Sequence, residues 1–362
     1  MKISRRAFLK TATAISPILI SRTRARWPFV AIWDNHEFSW QGWQSIVKAG
    51  RFEQPGQSVK VVANQAWFEY LPARVVHRSA SLERFDAPAV KDVPIKEFDS
   101  NGLGVEANNL TAINSLKAYR SLRYGRNLDL IITDQHSYRS ADPFSDPSLG
   151  KLGGDEFIGM SPESGMQILD GGRAFNGGAP PPEIRFNDAH VPNPQRSAPP
   201  QTILGAEQKA WFKDRLKSST AAWKIWGNSM GAPDWRADPQ NLPAGLTKES
   251  WPANTYAALG GGDYRSAYAE RGEIYNLVRD AKITGFAIVS GDRHNFWAGY
   301  ASAELPPGKF DPAGLSFVGG SLVSPGVMEA YEHNLKKDVP LRPLFLPRRK
   351  PGRSRNGPST CC

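Results

Sequence analysis

The chain has 362 residues, 40% hydrophobic and 22% charged with 11 Trp, which excludes a disordered chain and suits one large or two modest globular domains. The formal charge of +10 points first to nucleic acid, but residues 1–26 hold seven Lys/Arg without an acid and residues 336–362 hold eight Lys/Arg against one Asp, so the body is mildly acidic and no nucleic-acid partner is expected. Cysteine occurs only as the final pair, Cys361 and Cys362, which excludes a stapled fold and a Cys-based metal site.

In chain order, "SRRAFLK" (Ser4 to Lys10) precedes the apolar "TATAISPILI". Adjacent arginines ahead of a moderately apolar run read as a twin-arginine export signal over 1–26. The run is too short to span a bilayer, so no transmembrane anchor is expected. The reading implies the twin-arginine translocation machinery as a partner and a periplasmic or secreted location.

"WPFVAIW" (27–33) reads as a buried strand, and 63–76 as a helix up to Pro72. Residues 106–125 mix helix and strand signals. "LDLIITD" (128–134) is a second buried strand. The Pro- and Gly-rich stretch 139–202 reads as a long surface insertion. "LGAEQKAWFKDRLKSST" (204–220) predicts an amphipathic helix with Trp211, Phe212 and Leu216 inward and Lys213, Asp214 and Lys217 outward. A strand follows at 221–230, a helix at 267–284, a strand from 285 running into Gly291-Asp292-Arg293-His294, and a strand and turn at 314–326. This alternation predicts an α/β fold.

Three strands end on ligand-type residues: Asp34-Asn35-His36, Asp134-Gln135-His136 and Asp292-Arg293-His294. Sites of open α/β sheets gather at the carboxyl ends of strands. Carboxylate, carboxamide and imidazole groups together suit one or two hard or borderline cations. Taken singly, each residue also has a plain structural role: Asp34 as a helix cap, Asn35 in a turn, His36 as a half-buried histidine. For Glu37 and Arg293, a salt bridge competes with a role in orienting ligands or binding substrate.

"WDNHE" (33–37), "TDQHSYRS" (133–140), "QKAWFKDRLKSSTAAWKIWGNSM" (208–230), "SGDRHNFWAG" (290–299) and "FVGGSLVSPG" (317–326) resemble, in order and spacing, the motifs of PhoD-type alkaline phosphatases, members of the calcineurin-like metallophosphoesterases. The resemblance implies a four-layer α/β/β/α sandwich, a dinuclear centre commonly of iron with calcium, and hydrolysis of phosphomonoesters or phosphodiesters outside the cytoplasm. It marks His36 and Asp34 as catalytic, Asn35, Asp292 and His294 as metal ligands, and Arg139 and Arg293 as substrate-binding. Two family motifs expected before Trp33 have no counterpart, so an incomplete sandwich lacking its first strands is expected over 27–340, followed by a basic disordered tail over 341–362. A non-catalytic remnant with at most one weak metal site is the competing expectation.

Overall fold

The computed structural model describes residues 29–345, apart from 50–51, 72–75, 78–83, 144–145, 153–155, 158, 260–266, 321–323, 336 and 340. The export-signal segment and the tail beyond residue 345 lie outside the described residues.

Four short apolar runs supply the parallel centre of a six-stranded sheet. They are β2 (Leu128–Ile132), β3 (Trp223–Gly227), β4 (Phe286–Ser290) and β6 (Pro312–Val318). Two antiparallel strands flank them: β1 (Arg120–Tyr124) beside β2, and β5 (Trp297–Ser302) beside β6. The order across the sheet is β5-β6-β4-β3-β2-β1. β-branched and aromatic residues fit the pleat, and five-residue runs are too short to nucleate helices.

One face of this sheet is covered by α4 (Ala206–Ser218) and α5 (Tyr268–Asp280). Phe212 and Leu216 from α4, and Ile274, Tyr275 and Val278 from α5, pack on Ile131, Trp226, Phe286 and Ile288. Phe212 meets the Trp226 ring at 4.7 Å between centroids. The predicted inward stripe of α4 therefore holds for Phe212 and Leu216, while Trp211 is only partly covered and leans on Tyr119 at 4.8 Å. Gly285, at φ +67°, turns the chain into β4, where any Cβ would lie 1.9 Å from the Ala222 carbonyl.

Before the sheet come α1 (Gln57–Tyr70) and α2 (Ala107–Ile113), between the insertion strands lies α3 (Glu163–Gly171), and α6 (Val327–Asn334) follows β6. No helix of the described residues is long and apolar enough to cross a membrane. The remaining sheets among the described residues have two or three strands.

Two sequence readings change. Residues 29–33 are not a strand: no ladder forms, and the Ala31 carbonyl instead accepts from the Arg120 guanidinium at 2.6 Å. Trp33 is still buried, edge-on to Trp67 at 5.8 Å. The run is buried by side-chain packing rather than by pairing, and apolar content alone does not separate the two cases. Stretch 139–202 is more than a surface loop. It contributes α3, a hairpin of Glu183–Phe186 with Ala189–Pro192, and a second core of Leu149, Phe157, Leu169, Ile184 and Val191 closed by Trp251. Alternation inside the hairpin, with Ile184 and Phe186 buried between exposed neighbours, gives that insertion an apolar face of its own.

Candidate functional site

The carboxyl ends of β2, β3 and β4 open on one rim. After β2 the chain enters Thr133-Asp134-Gln135-His136, after β3 Asn228-Ser229, and after β4 Gly291-Asp292-Arg293-His294. Gln135 Oε1 accepts from the Ser229 backbone and hydroxyl at 3.1 and 2.9 Å, and Gly291 N–H donates to Ser229 O at 3.3 Å. The three strand ends are thus sewn side by side.

The loop carrying "WDNHE" crosses this rim. Asn35 Nδ2 donates to Asp292 Oδ1 at 2.7 Å, joining residues 257 positions apart. Asp34 stands beside them with Oδ1 buried and without a hydrogen-bond partner. Glu37 folds back to accept from the Asp34 N–H at 2.6 Å. Burial first, then the charges of Asp292 and Glu37, push the Asp34 carboxyl up to about 8. His36 is exposed and stacks on Trp40 at 6.5 Å.

Asp292 and His294 both hold positive φ, +68° and +56°, which L-residues rarely adopt. Such backbone costs of order 1–3 kcal/mol and gathers at functional sites. His294 Nδ1 lies 2.6 Å from Pro325 O. A carbonyl only accepts, so Nδ1 carries a proton, which leaves Nε2 as the acceptor atom of the neutral ring. Arg293 points the other way. Its buried guanidinium donates to Gly231 O at 3.3 Å and to Pro233 O, and lies between Trp235 and Trp297 at 5.5 and 5.6 Å. Gly231 leaves it room, since a Cβ there would sit 2.2 Å from Arg293 Nε.

The segment after β2 looks similar in sequence and is built differently. Asp134 Oδ1 accepts from the N–H groups of His136 and Ser137, both at 2.9 Å, and Gln208 of α4 clamps the Asp134 backbone at 2.7 and 2.8 Å. His136 Nδ1 donates to Gly42 O at 3.2 Å. Burial, then the Arg139 charge, lowers His136 to about 3, so the ring is neutral. Arg139 is itself buried beneath this layer. Below it lies Lys60, wholly buried, donating to Ser137 Oγ at 3.0 Å and set 3.9 Å over the Trp33 ring. Burial lowers Lys60 to about 8 against the opposing pull of Asp134.

The structure therefore brings Asp34, Asn35 and Asp292 together, sets His36 and His294 at the margins, and buries Arg139 and Arg293 in the framework. Sequence reasoning passed over Lys60, Gln208 and Asn228. A lysine or glutamine within an amphipathic helix carries no signal of burial. Asn228 did carry one, because it follows an apolar strand as the aspartates do. Its Nδ2 is buried without a partner.

The donor set bears on the implied metal. Among the described residues, no three His, Cys, Asp or Glu side chains form a metal cage. What stands on the rim is the orphaned Asp34 oxygen, the Asp292 carboxylate and the Asn35 carboxamide, all oxygen donors, with mutual repulsion that a cation would relieve. These residues fit a single hard cation and do not furnish a pair of cages.

A family model for PhoD-like phosphatases matches residues 18–343. Alkaline phosphatase D of Bacillus subtilis (strain 168) is 21% identical over 307 residues, covering 85% of this chain and 38% of that protein. A solved structure described as "Structure of PhoD" aligns with a TM-score of 0.50 and 19% identity, over 82% of this chain and 40% of that one, a likeness of fold. The chain spans about two fifths of the length of both relatives.

Proposed function

The chain belongs to the PhoD-like phosphatase family, matched over 18–343, and we propose that it is an exported hydrolase of phosphate esters working at the rim of β2, β3 and β4. The observation that carries this reading is the 2.7 Å contact between Asn35 and Asp292, which unites two distant family-like motifs beside an electrostatically strained Asp34.

Asn35, Asp292 and Asp34 would hold a cation, of the iron or calcium kind that the family resemblance implies. A bound cation supplies charge to offset the negative phosphoryl oxygens. The protein's own part is positional. The Asn35–Asp292 bond fixes the loop on the rim, and the Glu37 carboxylate holds the Asp34 backbone in its turn. His36 stands exposed at the edge, where an imidazolium can give its proton to a departing alkoxide. His294 keeps Nε2 as an acceptor or ligand atom. Phosphomonoesters and phosphodiesters are the substrate classes that the family resemblance implies.

Purified protein is assayed on an aryl phosphate and a bis-aryl phosphate diester at alkaline pH, with calcium and iron added. Turnover should appear, and His36→Ala should slow it by roughly 10²-fold or more, the range of a general acid. No turnover under any metal condition would remove the catalytic reading. Export is tested separately. Changing Arg5 and Arg6 to Lys should retain a fused reporter in the cytoplasm, and unchanged secretion would defeat the twin-arginine assignment.

A further inference from the structure

Residues 29–42 pair with no strand, so the loop that carries Asp34, Asn35, His36 and Glu37 needs other anchors. One is the bond from Asn35 to Asp292 at 2.7 Å. Another lies beneath the loop. Lys60 of α1 is fully buried, and its ammonium stands 3.9 Å from the centre of the Trp33 ring and 5.2 Å from that of Phe38. Both distances fall within the ~6 Å range of a cation–π contact. Trp33 and Phe38 are the residues on either side of Asp34-Asn35-His36-Glu37. The same ammonium donates to Ser137 Oγ at 3.0 Å, in the segment after β2. One cation thus joins α1, a strand end and both flanks of the site loop.

We propose that Lys60 is a positioning residue for the rim: it clamps both flanks of the loop and so holds Asp34 and Asn35 against Asp292, without touching substrate. Stability gives no reason for an ammonium at this point. A buried charge is expensive, and an apolar side chain of equal length would fill the same space without that cost. What the cation adds is direction. Methylene packing tolerates sliding, whereas a cation–π contact requires the charge over the ring face. The clamp also has a firm base. Asp134 attracts the ammonium, and Asp134 is itself fixed by the N–H groups of His136 and Ser137. Asn64, one turn further along α1, is a buried polar residue with a different task. Its Nδ2 donates to Ser115 Oγ at 2.7 Å and to the Ala112 carbonyl at 3.2 Å, which ties α1 to α2. Of these two buried polar residues on one helix, Asn64 joins the helices and Lys60 serves the loop.

This role rests on the rim being the working site, so the loop is read first and the site second. Amide hydrogen exchange of the full chain is followed by mass spectrometry over residues 30–43, with β3 and β4 as internal reference. Lys60→Met keeps the stem and removes the charge. It should speed exchange in the loop, at amides such as Gln41 N–H, which donates to Asn35 O at 3.0 Å, by roughly 30-fold, the scale of a desolvated cation–π contact. β3 and β4 should show no matching change. Ser137→Ala, a small change that removes the hydroxyl under the ammonium, should move the loop in the same direction by less. Asn64→Ala should speed exchange in loop and core together. The calcium concentration that raises the melting temperature of the native chain should increase at least ~10-fold in Lys60→Met, as when a ligand loses its support. An unchanged loop in both Lys60→Met and Ser137→Ala overturns the proposal. So does a loop that loosens only in step with the core, which is general destabilisation. A loosened loop with an intact calcium response also overturns it, since the clamp would then not govern the rim. If the native chain ignores calcium, the cation reading of the rim falls; a selectively loosened loop then still supports the clamp, and an unchanged one still overturns it.

Discussion

The segments after β2 and after β4 share a pattern, Asp-x-His at the end of an apolar strand, and have opposite fates. In the first, Asp134 and His136 are fully buried, and Asp134 Oδ1 accepts from two backbone N–H groups while Oδ2 is buried without a hydrogen-bond partner, in the field of Lys60. In the second, Asp292 and His294 are half-exposed, hold left-handed backbone, and meet Asn35 across the rim. The difference teaches that a strand-end aspartate becomes a buried framework residue or a half-exposed rim residue according to what packs above it. Loop 41–44 lies over the first segment, where Gln44 N–H donates to His136 O at 2.8 Å and its side chain to Arg139 O at 3.1 Å. The loop over the second segment brings the Asn35 carboxamide onto Asp292 itself and sets a second carboxylate, Asp34, beside it.

Substitution should break this comparison most sharply at the two aspartates. Asp134→Ala would strand the buried Lys60 charge and two N–H groups, and should cost about 3–5 kcal/mol in urea unfolding. Asp292→Ala should move stability by less than about 1 kcal/mol, because it removes the repulsion with Asp34 along with the Asn35 contact. Its effect should fall on catalysis, with a loss of about 10²-fold or more in turnover of an aryl phosphate, since charge stabilisation at the phosphoryl group is a large catalytic term. Equal stability losses at both positions would erase the distinction.

The first segment and the loop that crosses the second should also titrate in opposite senses. His136 is depressed from its ordinary 6.5 to about 3, so the fold binds fewer protons than the unfolded chain in that interval. Its contribution to stability is present above 6.5 and is lost as pH falls toward 3. Asp34 is raised from 3.8 to about 8, so the fold there binds more protons, and its penalty grows as pH rises from 3.8 through 8. Melting temperature against pH should therefore lose its acid-side slope in His136→Gln and its neutral-to-alkaline slope in Asp34→Asn. Calcium added at pH 8 should raise the melting temperature of the native chain and leave Asp34→Asn less affected. The smallest effect is expected at His294→Asn, within about 0.5 kcal/mol by the same unfolding assay, because asparagine tolerates the left-handed backbone.

Much of this was determined locally and could be read from the chain alone. The strands Leu128–Ile132, Trp223–Gly227 and Phe286–Ser290 are short apolar runs, and helices Ala206–Ser218 and Tyr268–Asp280 carry their period in the residue order. The ligand types at strand ends, and the likeness to PhoD-type phosphatases, followed from the same stretches. Tertiary structure alone decided the rest. "FVAIW" has the composition of a strand, yet residues 29–33 find a guanidinium and a tryptophan instead of a ladder. Lys60 reads as a solvated helix residue and is wholly buried. Trp223 and Trp226, three residues apart on one strand, end on opposite faces, one exposed and one in the core. Periodicity and propensity are sums over neighbours in the chain, so residue order reveals them. Burial, countercharge and the covering of a face are sums over neighbours in space, and those neighbours exist only once the chain has folded.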